Sequence, residues 1–253
     1  RGEAVSRLRG DHDGWRLLIC HLPTPNSQSP TRSWGLGMEP WELGVGRGWE
    51  LGVGSWALTM SPDDPPFPRI AIVGLGLIGG SIALAVRERW SSTLITAVDR
   101  PSVLAHASSS GAIDRAANSV AEIGPVDLVI LAAPVRQNVE LLPQVMAGLR
   151  DGAIVTDVGG TKRDIVSAAA ALPSASAFIG GHPIGGAERG GFGFARPDLF
   201  RGKPWIFTGS GSSRDRRGGS SDPPDALDKL YEFVRPLRAP PSTMGAVTHH
   251  RVM

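Results

Sequence analysis

The sequence is poor in the features that mark several large classes of protein. Its 253 residues include one cysteine, Cys20, which cannot form an internal disulfide and offers no cysteine-based metal site. The longest apolar run, residues 70–86, is shorter than the roughly 20 residues of a membrane span and is interrupted by glycines. The formal net charge of +2 favours neither nucleic acid nor an anionic membrane. We therefore expect a cytoplasmic protein without metal, nucleic acid or membrane among its partners.

Residues 1–59 differ in composition from the rest of the chain. They hold five of the seven tryptophans and a short repeat, Trp-Glu-Leu-Gly-Val-Gly, which starts at Trp41 and again at Trp49. Their apolar residues follow neither the helical nor the strand period for long. One interpretation is a tryptophan-rich binding arm, and the other is a disordered extension before Met60. We favour the extension, because aperiodic, glycine-rich sequence rarely folds.

From Arg69 onwards, short apolar runs alternate with helical patterns, which is typical of βαβ units and a parallel sheet. The predicted strands are residues 70–73, 94–98, 128–131, 153–156, 177–179 and 241–244; the predicted helices are residues 77–89, 138–149, 161–171 and 225–234, with one more beginning at Pro101. The expected fold class is α/β, with a doubly wound, mostly parallel sheet. We assign residues 60–208 to this domain, 209–224 to a flexible loop, and 225–253 to its last elements and the start of a helical domain.

The strongest local motif is Gly74-Leu-Gly-Leu-Ile-Gly79, which follows an apolar strand and opens a helix. In this context Gly74 permits a tight turn, Gly76 lets the backbone approach a pyrophosphate, and Gly79 lets helix and strand pack closely. The helix N-terminus, at Leu77 and Ile78, then faces the negative phosphates. A glycine-rich turn without a ligand has the same six letters, but the flanking strand and helix predict a Rossmann-type dinucleotide site.

Asp99 and Arg100 bear on the choice of nucleotide. Asp99 lies 20 residues after Gly79, at the end of a strand, where a carboxylate accepts hydrogen bonds from the adenine ribose and repels a 2′-phosphate. Arg100 is either a binding group for such a phosphate or a solvated surface charge. We predict NAD rather than NADP. Ala133 and Pro134 end another strand, where they either line the cofactor crevice or only terminate the strand.

His182 is the candidate for chemistry. It sits in Gly180-Gly-His-Pro-Ile-Gly-Gly186, directly after the predicted strand that ends at Ile179. Pro183 restrains His182 to extended backbone and so limits where its ring can point. An imidazole titrates near neutrality, which suits it to remove a proton from a hydroxyl while hydride leaves the same carbon. From these residues alone, a catalytic histidine and a structural turn histidine both stay open.

Four motifs, in this order, resemble those of the prephenate/arogenate dehydrogenase family. They are the strand followed by Gly-Leu-Gly-Leu-Ile-Gly-Gly-Ser, then Thr156-Asp-Val-Gly-Gly-Thr-Lys162, His182-Pro-Ile-Gly-Gly-Ala-Glu188 and Asp198-Leu-Phe-Arg-Gly-Lys-Pro-Trp205. The similarity extends over about residues 69–208, and more weakly through His249-His-Arg-Val-Met253.

The resemblance implies an oxidative decarboxylation of prephenate or arogenate, in tyrosine biosynthesis. Hydride passes from the ring carbon that bears the hydroxyl to NAD(P), the ring carboxylate leaves as CO₂, and the product is 4-hydroxyphenylpyruvate or tyrosine. His182 matches the family histidine that polarises this hydroxyl, and Glu188 matches a glutamate near the pocket entrance. The family also has a helical C-terminal domain that dimerises and binds the substrate carboxylates. A homodimer is therefore implied for the intact protein, and this chain is expected to be truncated in that domain.

Departures from the family pattern leave alternatives open. Where the family often has a serine after Asp-Val-Gly, this chain has Gly160, and either Thr161 replaces the serine or nothing does. We expect Gly160, Thr161 and Glu188 to bind substrate. One alternative is that the chain is a non-catalytic nucleotide-binding module, because half of the substrate site is expected to lie in the helical domain. The glycine motif by itself also fits another Rossmann enzyme, such as a β-hydroxyacid dehydrogenase or a pyrroline-carboxylate reductase.

Overall fold

The computed structural model describes residues 63–173, 178–208, 226–245 and 248–249. The predicted extension at residues 1–59 and the predicted loop at 209–224 lie outside the described residues. Within the part of the chain that the structure describes, no helix is long and apolar enough to cross a bilayer.

The described strands form one eight-stranded sheet, ordered β3-β2-β1-β4-β5-β6-β7-β8. They are β1 (Arg69–Val73), β2 (Leu94–Val98), β3 (Arg115–Ala117), β4 (Leu128–Leu131), β5 (Ile154–Asp157), β6 (Phe178–Pro183), β7 (Trp205–Thr208) and β8 (Pro241–Thr243). The pairs from β3 to β6 are parallel, β7 is antiparallel to β6, and β8 is parallel to β7. The first six strands have the order 3-2-1-4-5-6 of a doubly wound dinucleotide-binding sheet. The predicted fold class is confirmed.

Helices cover both faces of the sheet, and each face has its own apolar core. The helices are α1 (Leu77–Arg89), α2 (Pro101–Ser109), α3 (Val135–Ala147), α4 (Arg163–Ala170) and α5 (Ala226–Val234). In β1, Ile70 and Ile72 join the core that contains side chains of α1, α2 and α5, whereas Ala71 and Val73 join the core that contains side chains of α3 and α4. Successive side chains of a strand point to opposite faces, so a strand buried on both faces is apolar throughout. This is why the central strands are visible in the sequence as unbroken apolar runs.

β6 is longer than predicted, and His182 lies within it rather than directly after it. Phe178 and Ile179 pair in parallel with β5, whereas residues 180–183 pair antiparallel with β7. The prediction ends this strand at Ile179 because the two glycines that follow are weak strand formers. The antiparallel partner compensates for that weakness. As a result, β6 continues past the carboxyl end of β5.

Two strands have no counterpart among the predicted ones. β3 has the sequence Arg-Ala-Ala, which is too short and too polar to give a strand signal. β7 is a four-residue apolar run, Trp-Ile-Phe-Thr, directly after Pro204, and its period is compatible with several structures. Both are defined by pairing with distant strands, which local sequence does not encode.

Candidate nucleotide-binding and active site

An open crevice with a volume of about 630 Å³ lies at the carboxyl edge of the sheet. Its lining comes from the ends of β1, β2 and β4, and includes Gly74, Gly76, Asp99, Arg100, Ala133 and Pro134. β1 and β4 are neighbours that begin opposite halves of the strand order, and ligands of doubly wound folds bind at this point. Leu77, Ile78 and Gly79 do not appear in the lining. Leu77 and Ile78 pack on the apolar core in the first turn of α1.

The three glycines of the turn have different geometric roles. Gly74 has φ +97°, and a Cβ there would lie 2.6 Å from the backbone nitrogen of Ala133. A Cβ on Gly79 would overlap the carbonyl oxygen of Gly74. At Gly76, by contrast, a Cβ would have nothing within 4 Å. Folding therefore requires glycine at 74 and 79, whereas glycine at 76 keeps open the space into which a pyrophosphate would fit.

Asp99 is held by backbone donors at the end of the crevice. Its Oδ2 accepts a 2.6 Å hydrogen bond from the N–H of Leu75, and its Oδ1 accepts one of 2.6 Å from the N–H of Arg100. Because an ionised carboxylate offers about four lone-pair sites, the same group retains capacity for ribose hydroxyls. The Arg100 guanidinium is 83% exposed, and its Nε lies 3.8 Å from Asp99 Oδ1.

His182 lies at the same edge of the sheet, near the end of β6 and two strands from β4. Its Nδ1 is 2.9 Å from Nε2 of His249, and the two ring centroids are 5.0 Å apart. On the other side of the ring, a Cβ on the exposed Gly160 would lie 3.5 Å from His182 Nε2. One ring nitrogen is therefore covered by a buried histidine, and the other faces an open position without a side chain.

The other two predicted substrate contacts lie on the surface. Thr161 is exposed, and the position that approaches the imidazole is Gly160. Glu188 is exposed in the segment that follows β6. Exposure alone assigns neither Thr161 nor Glu188 a role in the site.

The pKa of His182 is lowered from 6.5 to about 4. Burial of the half-buried ring is the largest cause, and the electrostatic effects of His249 and Lys162 act in the same direction. The expectation that this imidazole titrates near neutrality is therefore wrong. At physiological pH the ring is therefore neutral.

A fully buried ion pair supports the turn beside His182. Lys162 Nζ donates to Oδ2 of Asp157, and both side chains are completely buried. The same carboxylate accepts hydrogen bonds from the N–H of Gly159 at 2.9 Å and of Gly181 at 3.1 Å. Burial raises the pKa of Asp157 and lowers the pKa of Lys162, and their mutual contact opposes both shifts. Asp157 thus joins the end of β5, the turn that contains Gly160, and β6.

His249, Asp157 and Lys162 are site residues that the sequence analysis does not single out. Asp157 and Lys162 stand in one of the quoted motifs, but the letters do not show that both are buried. His249 is 67 residues from His182. Its only signal is the weak family similarity of the last five residues.

We predict that Lys162→Met lowers the free energy of unfolding by about 3–5 kcal/mol, because it leaves the Asp157 charge buried and uncompensated. The double variant Asp157→Asn/Lys162→Met removes that charge and should recover much of the loss. Arg163→Met, which removes an exposed cation from the next position, should change the value by about 0.5 kcal/mol or less. Denaturant unfolding measures all three. A double variant no more stable than Lys162→Met would contradict the buried ion pair.

The lowered pKa of His182 predicts a pH dependence of stability. Unfolding returns the ring to an ordinary pKa near 6.5, so the unfolded chain binds more protons between pH 6.5 and about 4. The free energy of unfolding should therefore fall as the pH drops through this window. We expect the wild type to lose more stability between pH 7 and pH 5 than His182→Asn does. His106→Asn, at an exposed histidine, should behave like the wild type; identical losses in all three proteins would refute the assignment.

Known proteins similar to this chain in sequence and in fold include prephenate dehydrogenases. The family model described as "Prephenate dehydrogenase, nucleotide-binding domain" matches residues 82–239. The prephenate dehydrogenase of Lactococcus lactis is 38% identical over 143 residues, which cover 55% of this chain and 40% of that protein. The chain thus spans about two fifths of the length of this curated relative.

Solved structures give the same result. The prephenate dehydrogenase of Aquifex aeolicus in complex with hydroxyphenyl propionate and NAD⁺ has a TM-score of 0.61 and 27% identity, covering 72% of this chain and 61% of that one. The Synechocystis arogenate dehydrogenase has a TM-score of 0.59 and 27% identity over the same shares. Because the family model spans more than half of the chain, the resemblance seen in the four motifs is confirmed, and the chain belongs to the family of prephenate dehydrogenase nucleotide-binding domains.

Proposed function

We propose that this chain is the cofactor-binding and proton-accepting part of an NAD-dependent prephenate or arogenate dehydrogenase. The observation that carries the proposal is a neutral imidazole, His182, whose Nε2 is open beside Gly160 at the same sheet edge as the crevice. Relatives of this chain in Lactococcus lactis and Bacillus subtilis are prephenate dehydrogenases, and a structural neighbour is an arogenate dehydrogenase. For the whole protein we propose a homodimer in the cytoplasm, on the family resemblance.

NAD is the nucleotide that the crevice residues fit. The space at Gly76 admits a pyrophosphate, the N-terminus of α1 favours its negative charge, and Asp99 offers acceptors to a ribose while repelling a 2′-phosphate. The neighbour from A. aeolicus was solved with NAD⁺. Bound NAD⁺ supplies the acceptor for a hydride.

The residues around His182 are suited to proton removal. The ring is neutral, so its Nε2 lone pair is available to take the hydroxyl proton of the substrate as hydride departs from the same carbon. The C–C bond to the ring carboxylate then breaks, CO₂ leaves, that electron pair completes the aromatic ring, and the phenolate oxygen takes the proton back from His182. Since aromatisation drives the reaction, the protein's tasks are to orient the substrate and to hold the acceptor lone pair in place.

A second candidate function is nucleotide binding without turnover, since the crevice residues that fit a nucleotide do so without any contribution from His182. This second function would be supported if the 253-residue chain binds the nucleotide but turns over neither prephenate nor arogenate. Turnover by this chain would exclude it.

We predict that Gly76→Ala weakens NAD binding by about tenfold or more, a loss of about 1.4 kcal/mol, and leaves the thermal midpoint unchanged. The added methyl group meets no protein atom within 4 Å and enters the space proposed for the pyrophosphate. Gly148→Ala, at the C-terminal end of α3 and outside the crevice lining, is the matched control. Isothermal titration with NAD and NADP gives all affinities, and NAD should bind more tightly. Equal NAD affinities for the two variants would argue against this pyrophosphate position.

We predict that His182→Asn lowers turnover by on the order of 10² to 10⁴ and leaves NAD affinity unchanged. Asparagine keeps a polar group of similar size but has no basic nitrogen to accept the proton. Turnover of prephenate and of arogenate is measured in the whole protein, beside His106→Asn as the control. Turnover within a fewfold of the wild type would leave His182 with a structural role only.

A further inference from the structure

We propose that His249 is a positioning residue for His182: it accepts a hydrogen bond from His182 Nδ1–H and thereby keeps His182 Nε2 unprotonated and aimed at the substrate position. The inference rests on the proposed function, because only a proton acceptor at residue 182 needs this tautomer. It assigns a role to the last described segment of the chain, 67 residues from the histidine that it orients.

The contact between the two rings is specific. His182 Nδ1 and His249 Nε2 are 2.9 Å apart, an ordinary hydrogen-bond length, and the ring planes meet at 62°. His249 is fully buried although it lies close to the end of the described chain. Its backbone N–H donates to the carbonyl of Gly245 at 2.9 Å, which ties the residue to the segment that follows β8.

One hydrogen atom between two ring nitrogens allows two arrangements. If His182 Nδ1 carries the hydrogen, His182 Nε2 has a free lone pair and is a proton acceptor. If His249 Nε2 carries it, His182 Nδ1 is the acceptor of this hydrogen bond, and neutral His182 holds its own hydrogen on Nε2. That nitrogen then has no lone pair with which to accept a proton from the substrate. In a neutral histidine, the hydrogen bond made by one nitrogen sets the state of the other. The proposed chemistry requires the first arrangement, with His249 as acceptor.

A histidine has an advantage over a carboxylate as the partner of His182. A carboxylate at this place would attract the protonated imidazole and raise its pKa, whereas neutral His249 accepts the hydrogen bond without adding negative charge. Lys162, from the turn after β5, is a charged group that acts on the ring, and it is paired with Asp157. The surroundings therefore hold the ring neutral while His249 selects its tautomer.

Imidazole nitrogen NMR of the 253-residue chain tests the tautomer directly. We expect His182 to carry its hydrogen on Nδ1 at pH 7, with the assignment made by the loss of its signals in His182→Asn. His249→Gln keeps an acceptor oxygen and should retain this tautomer. His249→Leu removes the acceptor and should shift His182 toward the Nε2–H form. His249→Glu should retain the tautomer and raise the His182 pKa above its wild-type value of about 4.

A hydrogen on His182 Nε2 in the wild type overturns the proposal, as does an unchanged tautomer in His249→Leu. The wild-type spectrum alone decides the donor direction, so the test stands even if a variant fails to fold. In the whole protein, His249→Leu should lower kcat with little change in KM, and His249→Gln should restore it. A wrong tautomer at a catalytic histidine costs up to about 10⁴ in rate in serine proteases. Failure of the whole wild-type protein to turn over either substrate, with the expected tautomers present, overturns the proposed function alone.

Discussion

The buried contact between Asp157 and Lys162 is the interaction on which the geometry of the site depends. A carboxylate and an ammonium removed from water are stable only when each has the other and the remaining lone pairs are satisfied. Here the remaining donors are backbone N–H groups from two segments, the turn after β5 and the strand β6. One charged group therefore fixes the distance between Gly160 and His182, which neither segment could set by itself.

Small residues and burial determine the rest of the site. Glycine stands where a backbone approaches another group closely, at Gly74 and Gly79 in the nucleotide turn and at Gly159 beside the carboxylate of Asp157. Burial is the main reason that the His182 ring stays neutral, and Lys162, which is paired with Asp157, acts in the same direction. Burial and the nearby Lys162 cation set the proton affinity of His182. The hydrogen bond with His249 sets which nitrogen of the His182 ring carries the hydrogen.

Sequence patterns predicted those features that are encoded locally. The strand, the glycine turn and the helix after it fall within about twenty consecutive residues, so periodicity and turn chemistry define the fold class and the place of the crevice. The predicted candidate site includes His182, which the strand order brings to the edge where the crevice lies. The depressed pKa of His182 could not be predicted, because it comes from burial. The partnership with His249 could not be predicted either, because it joins residues far apart in the chain.

The change of pairing within β6 has a consequence for how this family can vary. A side chain at Gly180 would overlap Thr208, and one at Gly181 would lie 2.5 Å from the carbonyl oxygen of Asp157. Mutation at either position is therefore penalised through folding before any effect on chemistry arises. Adaptation to a new substrate must start elsewhere, at positions where added atoms meet open space, such as Gly186. The two residues that precede His182 are thus closed to larger side chains, whereas exposed positions after it, such as Gly186, can accept them without a clash.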